Sequence, residues 1–218
     1  MNNPFDYFDK IYCICGENEV HRWESCKSQF EKLGIMDRVE RFSEFASQEE
    51  LKKCKMDGCK HSHLSVLKEA RSKKLSNVFI FESDFHFVNY DFDLMKKIFE
   101  SLNNVNWMMF FAGGTPHVAF KVVNQYLVQA SVSLAHAYAV SGEHLDFVID
   151  KLEKHPQITN DQIYRRGKKF KIGYSSYISY PQLVVQKDSS VETKRRTHAA
   201  KMYDRRIVPV MKQYLENK

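Results

Sequence analysis

Glu82-Ser83-Asp84 puts two carboxylates around one serine directly after Val78-Phe79-Ile80-Phe81, a short unbroken apolar run of β-formers. Such a run is the pattern of a strand buried on both faces of a sheet. Acidic residues at its carboxyl end stand where open α/β sheets bind ligands. If extended backbone continues through them, Glu82 and Asp84 share a face and can converge on one cation. One or two carboxylates, with phosphate oxygens and water filling the remaining positions, is the usual Mg²⁺ arrangement. The plainer alternative is an acidic, solvated turn.

Four other groups of residues invite the same question. The polar loop Gly16-Glu17-Asn18-Glu19, with His21 and Arg22 just beyond, is placed to touch a ligand. Asp57-Gly58-Cys59-Lys60 leads into a helix whose first turn, Gly58 to His63, offers the amide donors and positive dipole end that favour a phosphate. His63 is expected in that first turn on the apolar side, where a histidine bonded to a backbone carbonyl is the structural alternative. Gly113 and Gly114 permit positive φ or close backbone approach by a ligand. Asp161, entering one helical turn beside Asn160, offers either an acid or a helix N-cap. Neither a dinucleotide fingerprint nor a Walker loop occurs in the chain.

The elements that must position these residues follow from periodicity. Lys10 to Cys15 reads as a first strand ended by Gly16. Trp23, Cys26, Phe30 and Leu33 then recur at helical steps, with Gly34 suited to the C-terminal cap. A strand followed directly by a helix implies a βαβ unit. Arg38 to Phe42 is expected as a short strand and Glu49 to Lys55 as a helical segment. His63, Val66, Leu67 and Ala70 share one helical face, as do Phe92, Met95, Phe99 and Leu102. Trp107 to Phe111 is a second buried strand, closed by Ala112 to Pro116. Tyr126 to Leu134 and His136 to Val140 read as two strands. Leu145, Val148, Ile149 and Leu152 give a helix ending at His155-Pro156. Phe170 to Tyr174 and Tyr177 to Val185 complete the sheet, and a basic, helically patterned segment broken by Pro209 follows.

Composition bounds these readings. With 218 residues, 43% of them hydrophobic and 13% aromatic, the chain has material for one large domain with a full core. No apolar run approaches the roughly 20 residues of a membrane span. The start, MNNPFDYFDKIY, lacks the layout of a signal peptide, so a cytoplasmic protein is expected. The five cysteines form no zinc-type pair of pairs and are expected as reduced thiols. The net charge is +6, and nine Lys/Arg against four Asp/Glu from Lys187 to Lys218 place +5 of it in the last 32 residues. Such a segment can meet phosphates or an anionic membrane. A nucleic-acid platform is not expected, because the basic residues lack interleaved aromatics.

Taken in order, six segments of the chain resemble the family 25 glycosyltransferases, the group containing lipooligosaccharide and collagen hydroxylysine galactosyltransferases. They are IYCICGENEVHRWESCKSQFEKLGI, GCKHSHLSVLKEA, NVFIFESDF, NWMMFFAGG, AHAYAVSGEHLDFVIDKL and YPQLVVQKDSSVE, running from residue 10 to residue 192. GCKHSHLSVLKEA is the most specific.

The resemblance implies a GT-A-type, Rossmann-like α/β/α sandwich with a mostly parallel sheet over residues 1–190, and a basic extension over 191–218. It implies an inverting enzyme that moves a hexose or pentose from a UDP-sugar to a hydroxyl of a glycan or glycoprotein acceptor, using Mn²⁺ or Mg²⁺. Asp84 would fix the metal, with Glu82 supporting it directly or through water. The relatives' motif is Glu-Asp-Asp, and Ser83 stands in place of its middle acid. That departure motivates the alternative of an impaired relative acting as a carbohydrate- or partner-binding module. Cys15, Gly16, Arg22, Asp57, Gly58, His63, Ser83, Gly113 and Gly114 fall on the expected donor side. There Arg22 or His63 would meet phosphate and Asp57 a ribose hydroxyl. Asp161 is the candidate base for the acceptor hydroxyl, while His136 and Tyr138 are expected to be structural. Peripheral membrane contact through the basic C-terminal region completes the expectations.

Overall fold

The computed structural model describes residues 3–172, 175–186 and 200–217. Its centre is a six-stranded sheet in the order β2-β1-β3-β6-β5-β7. The strands are β1 (Lys10–Ile14), β2 (Val39–Phe42), β3 (Asn77–Glu82), β5 (Met109–Val122), β6 (Leu127–Ser141) and β7 (Ser176–Ser179). β1 pairs in parallel with β2 and β3, and β5 with β7, whereas β6 is antiparallel to β3, β5 and β7. Five strands therefore run one way and β6 the other. The mostly parallel, Rossmann-like α/β sandwich expected from the sequence is the observed fold.

The unbroken apolar runs are explained by cover on both sheet faces. On one face Tyr12, Ile14, Val78, Ile80, Met109 and Phe111 pack under α3 (Gly58–Ser72), α5 (Leu145–Lys154) and α6 (Asn160–Arg165). On the other, Ile11, Cys13, Phe79, Phe81 and Phe110 meet α1 (Val20–Lys32), α4 (Phe92–Ser101) and the turn at Pro4–Tyr7. This second face is an aromatic cluster: the Phe8 and Phe79 rings lie 4.8 Å apart and those of Phe5 and Phe99 5.3 Å apart, both edge-on. Each such pair contributes about 0.5–1.5 kcal/mol beyond area burial. Gly34 closes α1 at φ +62°, as its place after Leu33 suggested.

Four expectations change. β5 does not stop before Ala112-Gly113-Gly114 but runs through it, and β6 is one strand rather than two. The reason lies in their pairing. Gly113 opposes Ala137 while Thr115 opposes Ser133, so two residues' advance on β5 meets four on β6. β6 bulges there, with Leu134 at φ +58°. Phe170, expected in a strand, ends the short helix Gly167–Phe170, and Tyr174 lies outside the described residues. Tyr177 to Val185 divides into β7 and β8 (Val184–Gln186), and β8 pairs with β4 (Phe85–Phe87), a strand the apolar pattern did not separate from β3.

Beyond Gln186, residues 187–199 lie outside the described ones. Tyr203, Ile207 and Met211 are buried against the first face, and the Tyr203 hydroxyl donates to the Ser179 carbonyl at 2.7 Å. Pro209 stands in the first turn of the final helix, Val208–Glu216, where its missing N–H is no loss. Among the described residues no helix is long and apolar enough to cross a membrane.

The glycines at the bulge serve packing. A Cβ on Gly113 would lie 1.8 Å from the Val184 carbonyl oxygen, and one on Gly114, at φ +154°, would lie 2.5 Å from Val132 Cγ1. A Cβ on Gly58 would meet only Leu51 Cδ1 at 3.6 Å, an ordinary contact. Gly113→Ala is therefore expected to cost about 1–3 kcal/mol or more. Gly58→Ala is expected to be neutral or to stabilise by up to about 1 kcal/mol. Urea midpoints at constant m-value check both.

Candidate functional site

The polar residues converge at the carboxyl ends of β1 and β3. Glu82 is the last residue of β3. Ser83 and Asp84 turn toward β4, so the alternation that would put Glu82 and Asp84 on one face does not extend to Asp84. The two carboxylates bond to different partners. Glu82 Oε1 meets His63 Nε2 at 2.8 Å, and Asp84 Oδ2 accepts from the Gln186 amide at 2.6 Å.

His63 reaches Glu82 from α3. The N-cap of that helix is Asp57, whose carboxylate accepts from the Lys60 amide at 2.8 Å. His63 consequently sits in the second turn rather than the first. Asp57, expected against a ribose, is committed through this oxygen to the cap. Lys60 is buried and donates from Nζ to the carbonyls of His155 and Ile158, which ties α3 to the segment before α6. Burial brings its ammonium down to about 8.

His63 is fully buried, and its ring partners are side chains, not the backbone carbonyl of the structural alternative. Nδ1 lies 2.8 Å from the Tyr138 hydroxyl and Nε2 faces Glu82. Burial alone would lower the imidazole, but bonds with Cys59 and Glu82 overcome it and push it up to about 10. Burial acts upward on Glu82, yet the His63 bond and charge hold its carboxyl below the usual range. His63 is thus an imidazolium donating to Glu82 and to Tyr138. His136, also buried, goes the other way: burial lowers it, with Glu82 opposing only in part. A Cβ on Gly113 would come within 2.9 Å of His136 Nε2, so His136 and Gly113 are packed together.

Asp161 is the second residue of α6, and the N-cap is Thr159, which accepts from the Gln162 amide at 3.2 Å. With the cap supplied by its neighbour, Asp161 instead accepts from the Ala135 amide at 3.1 Å, in the β6 bulge. Burial first, then the Glu82 charge, raises its carboxyl to about 6. A carboxylate titrating near neutrality is suited to proton transfer.

On the β1 side a second network joins four of the expected donor residues. Arg22 Nη1 donates to Ser83 Oγ at 3.3 Å and pairs with Glu19 at 3.1 Å. The Gly16 amide donates to Glu19 at 2.9 Å. Arg41 Nε donates to the Cys15 carbonyl at 3.1 Å, and its guanidinium lies 4.9 Å from the Trp23 ring centroid. Burial raises the Cys15 thiol to about 11, so it is un-ionised at neutral pH. Glu19, Arg41, Cys59, Tyr138 and Gln186 were missing from the sequence-based site. Glu19 had a signal as part of the polar loop, and Cys59 had one in its four-residue spacing to His63, which places both on one side of a helix.

Two open clefts lie elsewhere. One of about 560 Å³ is lined by Tyr7, Asn103, Asn106, Trp107 and Glu143, and one of about 440 Å³ by Arg71, Ser76, Gly142 and Asp146. These residues border the start of β3 and β5 and the end of β6, opposite Glu82. Neither cleft contains the buried polar cluster, so chemistry is assigned by the cluster rather than by volume.

No protein-family model matches the chain, and no curated protein matches it. Solved structures similar in fold include a putative glucose-1-phosphate thymidylyltransferase from Bacillus anthracis. It has 9% identity, 93% of this chain and 80% of that chain covered, and a TM-score of 0.49. Another is a glycosyltransferase involved in glycosylation of the major capsid of PBCV-1, with 12% identity, 88% and 98% covered, and a TM-score of 0.47. A third is a UTP-bound UGPase from Acinetobacter baumannii, with 11% identity, 96% and 76% covered, and a TM-score of 0.43. Likenesses this distant carry no argument about activity.

The imidazolium has a signed consequence for stability. The folded pKa of His63 lies above its ordinary 6.5, so the folded state binds more protons. Its stabilisation is complete below pH 6.5 and is lost as pH rises toward about 10. Asp161, raised from 3.8 to about 6, adds a decline between those values. His63→Gln is expected to flatten the upper window in urea titrations across pH. His63→Ala should cost about 3 kcal/mol near pH 7 by stranding Glu82.

Proposed function

We propose that this protein is an inverting glycosyltransferase that moves a hexose or pentose from a UDP-sugar to a hydroxyl of a glycan or glycoprotein. The observation that carries the reading is Asp161, a carboxylate raised to about 6 beside the Glu82–His63 pair at the carboxyl end of the sheet. The six-segment resemblance to family 25 supports the substrate class and donor base.

In this reading Asp161 takes the proton of the acceptor hydroxyl as that oxygen attacks the anomeric carbon. The Ala135 amide holds the carboxylate in place, and Glu82 keeps it basic enough to accept at neutral pH. Arg22, now paired with Glu19 and Ser83, is the cation available to a diphosphate, and the Gly16 amide lies in the same network. His63 acts through Glu82, fixing its direction, instead of touching phosphate itself. Asp84 would hold Mn²⁺ or Mg²⁺, with Glu82 supporting through water. The fit is reasonable for a hard cation, because the neutral Gln186 amide orients the Asp84 carboxylate without neutralising its charge. When bound, that ion would supply charge neutralisation of the leaving diphosphate.

A second reading, a carbohydrate- or partner-binding relative without activity, is favoured by Ser83, which is engaged by Arg22 where relatives carry an acid. Calorimetric titration with UDP-sugars, with Mn²⁺ and with EDTA, separates the two. Metal-dependent binding weakened at least about tenfold by Asp84→Ala is expected, a loss of about 1.4 kcal/mol. Asp161→Asn should leave donor affinity unchanged and lower turnover about 10²–10⁴-fold. Binding indifferent to metal and to Asp84→Ala contradicts the metal assignment, and absence of UDP-sugar binding favours the binding module.

A further inference from the structure

Cys59, His63 and Glu82 form a donor set of a different kind from Asp84. A thiol sulfur, an imidazole nitrogen and a carboxylate oxygen from these residues all lie within 4.8 Å of one another. In a tetrahedral zinc site, with Zn–S about 2.3 Å and Zn–N or Zn–O about 2.0 Å, neighbouring ligand atoms stand about 3.3–3.5 Å apart. The longest separation must shorten by no more than about 1.5 Å and the 2.8 Å contact between His63 and Glu82 must open by about 0.5 Å. Adjustments of that size lie within side-chain rotation.

Three further features fit a cation. His63 is fixed at Nδ1 by the buried Tyr138 hydroxyl at 2.8 Å, which leaves Nε2 aimed at Glu82. Metal-bound imidazoles need this kind of outer partner to set ring and tautomer. Cys59 is exposed, so the cluster has an entry path and a face open to water. The thiolate and carboxylate balance a double positive charge, and Asp161 adds a further negative group that senses Glu82.

We infer that Cys59, His63 and Glu82 bind a borderline-soft divalent cation of the Zn²⁺ class, with water in the fourth position. A sulfur–nitrogen–oxygen set selects against Mg²⁺ and Mn²⁺, which prefer oxygen donors. The cation displaces protons: the Cys59 thiol proton and the one shared by His63 and Glu82 leave to solvent, and the imidazole binds as the neutral form. Asp84 takes no part, so the site shares only Glu82 with the donor metal of the transferase reading.

The test uses the full chain, stripped by chelator, kept reduced with a phosphine and titrated with Co²⁺ as the probe. A thiolate-to-cobalt charge-transfer band is expected to saturate at one equivalent and to vanish on adding Zn²⁺. About one to two protons should be released per ion. Cys59→Ser is expected to remove the band, whereas Cys54→Ser and Asp84→Ala keep it. Tyr138→Phe, checked for folding by circular dichroism, should weaken affinity about 10–100-fold while the band remains. No band in the native chain, a band that survives Cys59→Ser, or one lost with Asp84→Ala overturns the inference.

Discussion

A charged imidazole out of contact with water must find an acceptor for each of its N–H groups, and the fold around His63 is arranged to provide both. Glu82 stands at the end of β3 and Tyr138 on the antiparallel neighbour β6, while His63 descends from α3 between them. The pair therefore fixes how α3 sits on the sheet. Its desolvation cost means that it is retained for position rather than for stability alone. Glu82 also sets the protonation of its surroundings. Its negative charge raises Asp161 and partly offsets the burial of His136. Burial and this one carboxylate together give a charged histidine, a neutral histidine held so by burial despite Glu82, and a near-neutral acid raised by burial and then by Glu82.

The bulge in β6 is the second device on which the site depends. A regular strand would pair the Ala135 amide with β5. The two extra residues and the left-handed Leu134 release that amide, and Asp161 of α6 takes it up. The same irregularity lodges His136 beside Gly113, where Val184 closes in from β8. Gly113 is needed because β8 backbone lies where its side chain would be, and Gly114 because Val132 and the Ser133 carbonyl of β6 close in on a positive φ. Bulges recur beside active sites because they re-aim groups in this way.

Much of this was legible in the sequence. Helical stripes gave α1, α3, α4 and α5, and apolar runs gave β1, β3 and the buried start of β5, since those signals are local. Local pattern failed where long-range pairing decided the outcome. Ala112 to Thr115 reads as a strand stop, but β6 on one side and the Leu183 amide, donating to the Ala112 carbonyl at 3.0 Å, on the other hold it extended. Glu82 and Asp84 were read with strand alternation, whereas the turn at Ser83 sends Asp84 toward Gln186, 102 positions away. The Asp161 cap was a fair alternative until Thr159, one residue before Asn160, proved to hold the position. Glu19 was visible only as part of a polar loop, and Arg41 gave no signal, because Ser83 and Cys15, the partners that place them, come from separate elements.

The serine at the centre of the acidic motif is explained by those neighbours. Ser83 Oγ accepts from Arg22 at 3.3 Å and lies 3.5 Å from Glu19 Oε2, which already pairs with Arg22 and accepts from the Gly16 amide. A carboxylate at position 83 would gain Arg22 but stand against Glu19, and like charges at such separations oppose each other. The acid that pairs with Arg22 is thus Glu19, from the loop after β1. Two consequences follow from a neutral residue at position 83: no carboxylate adjoins Asp84 on that side, and Arg22 is held by both Glu19 and Ser83. In the proposed transferase reading, an anion arriving at Arg22 would displace Glu19 from its ion pair, and Glu19 would keep the Gly16 amide as a partner.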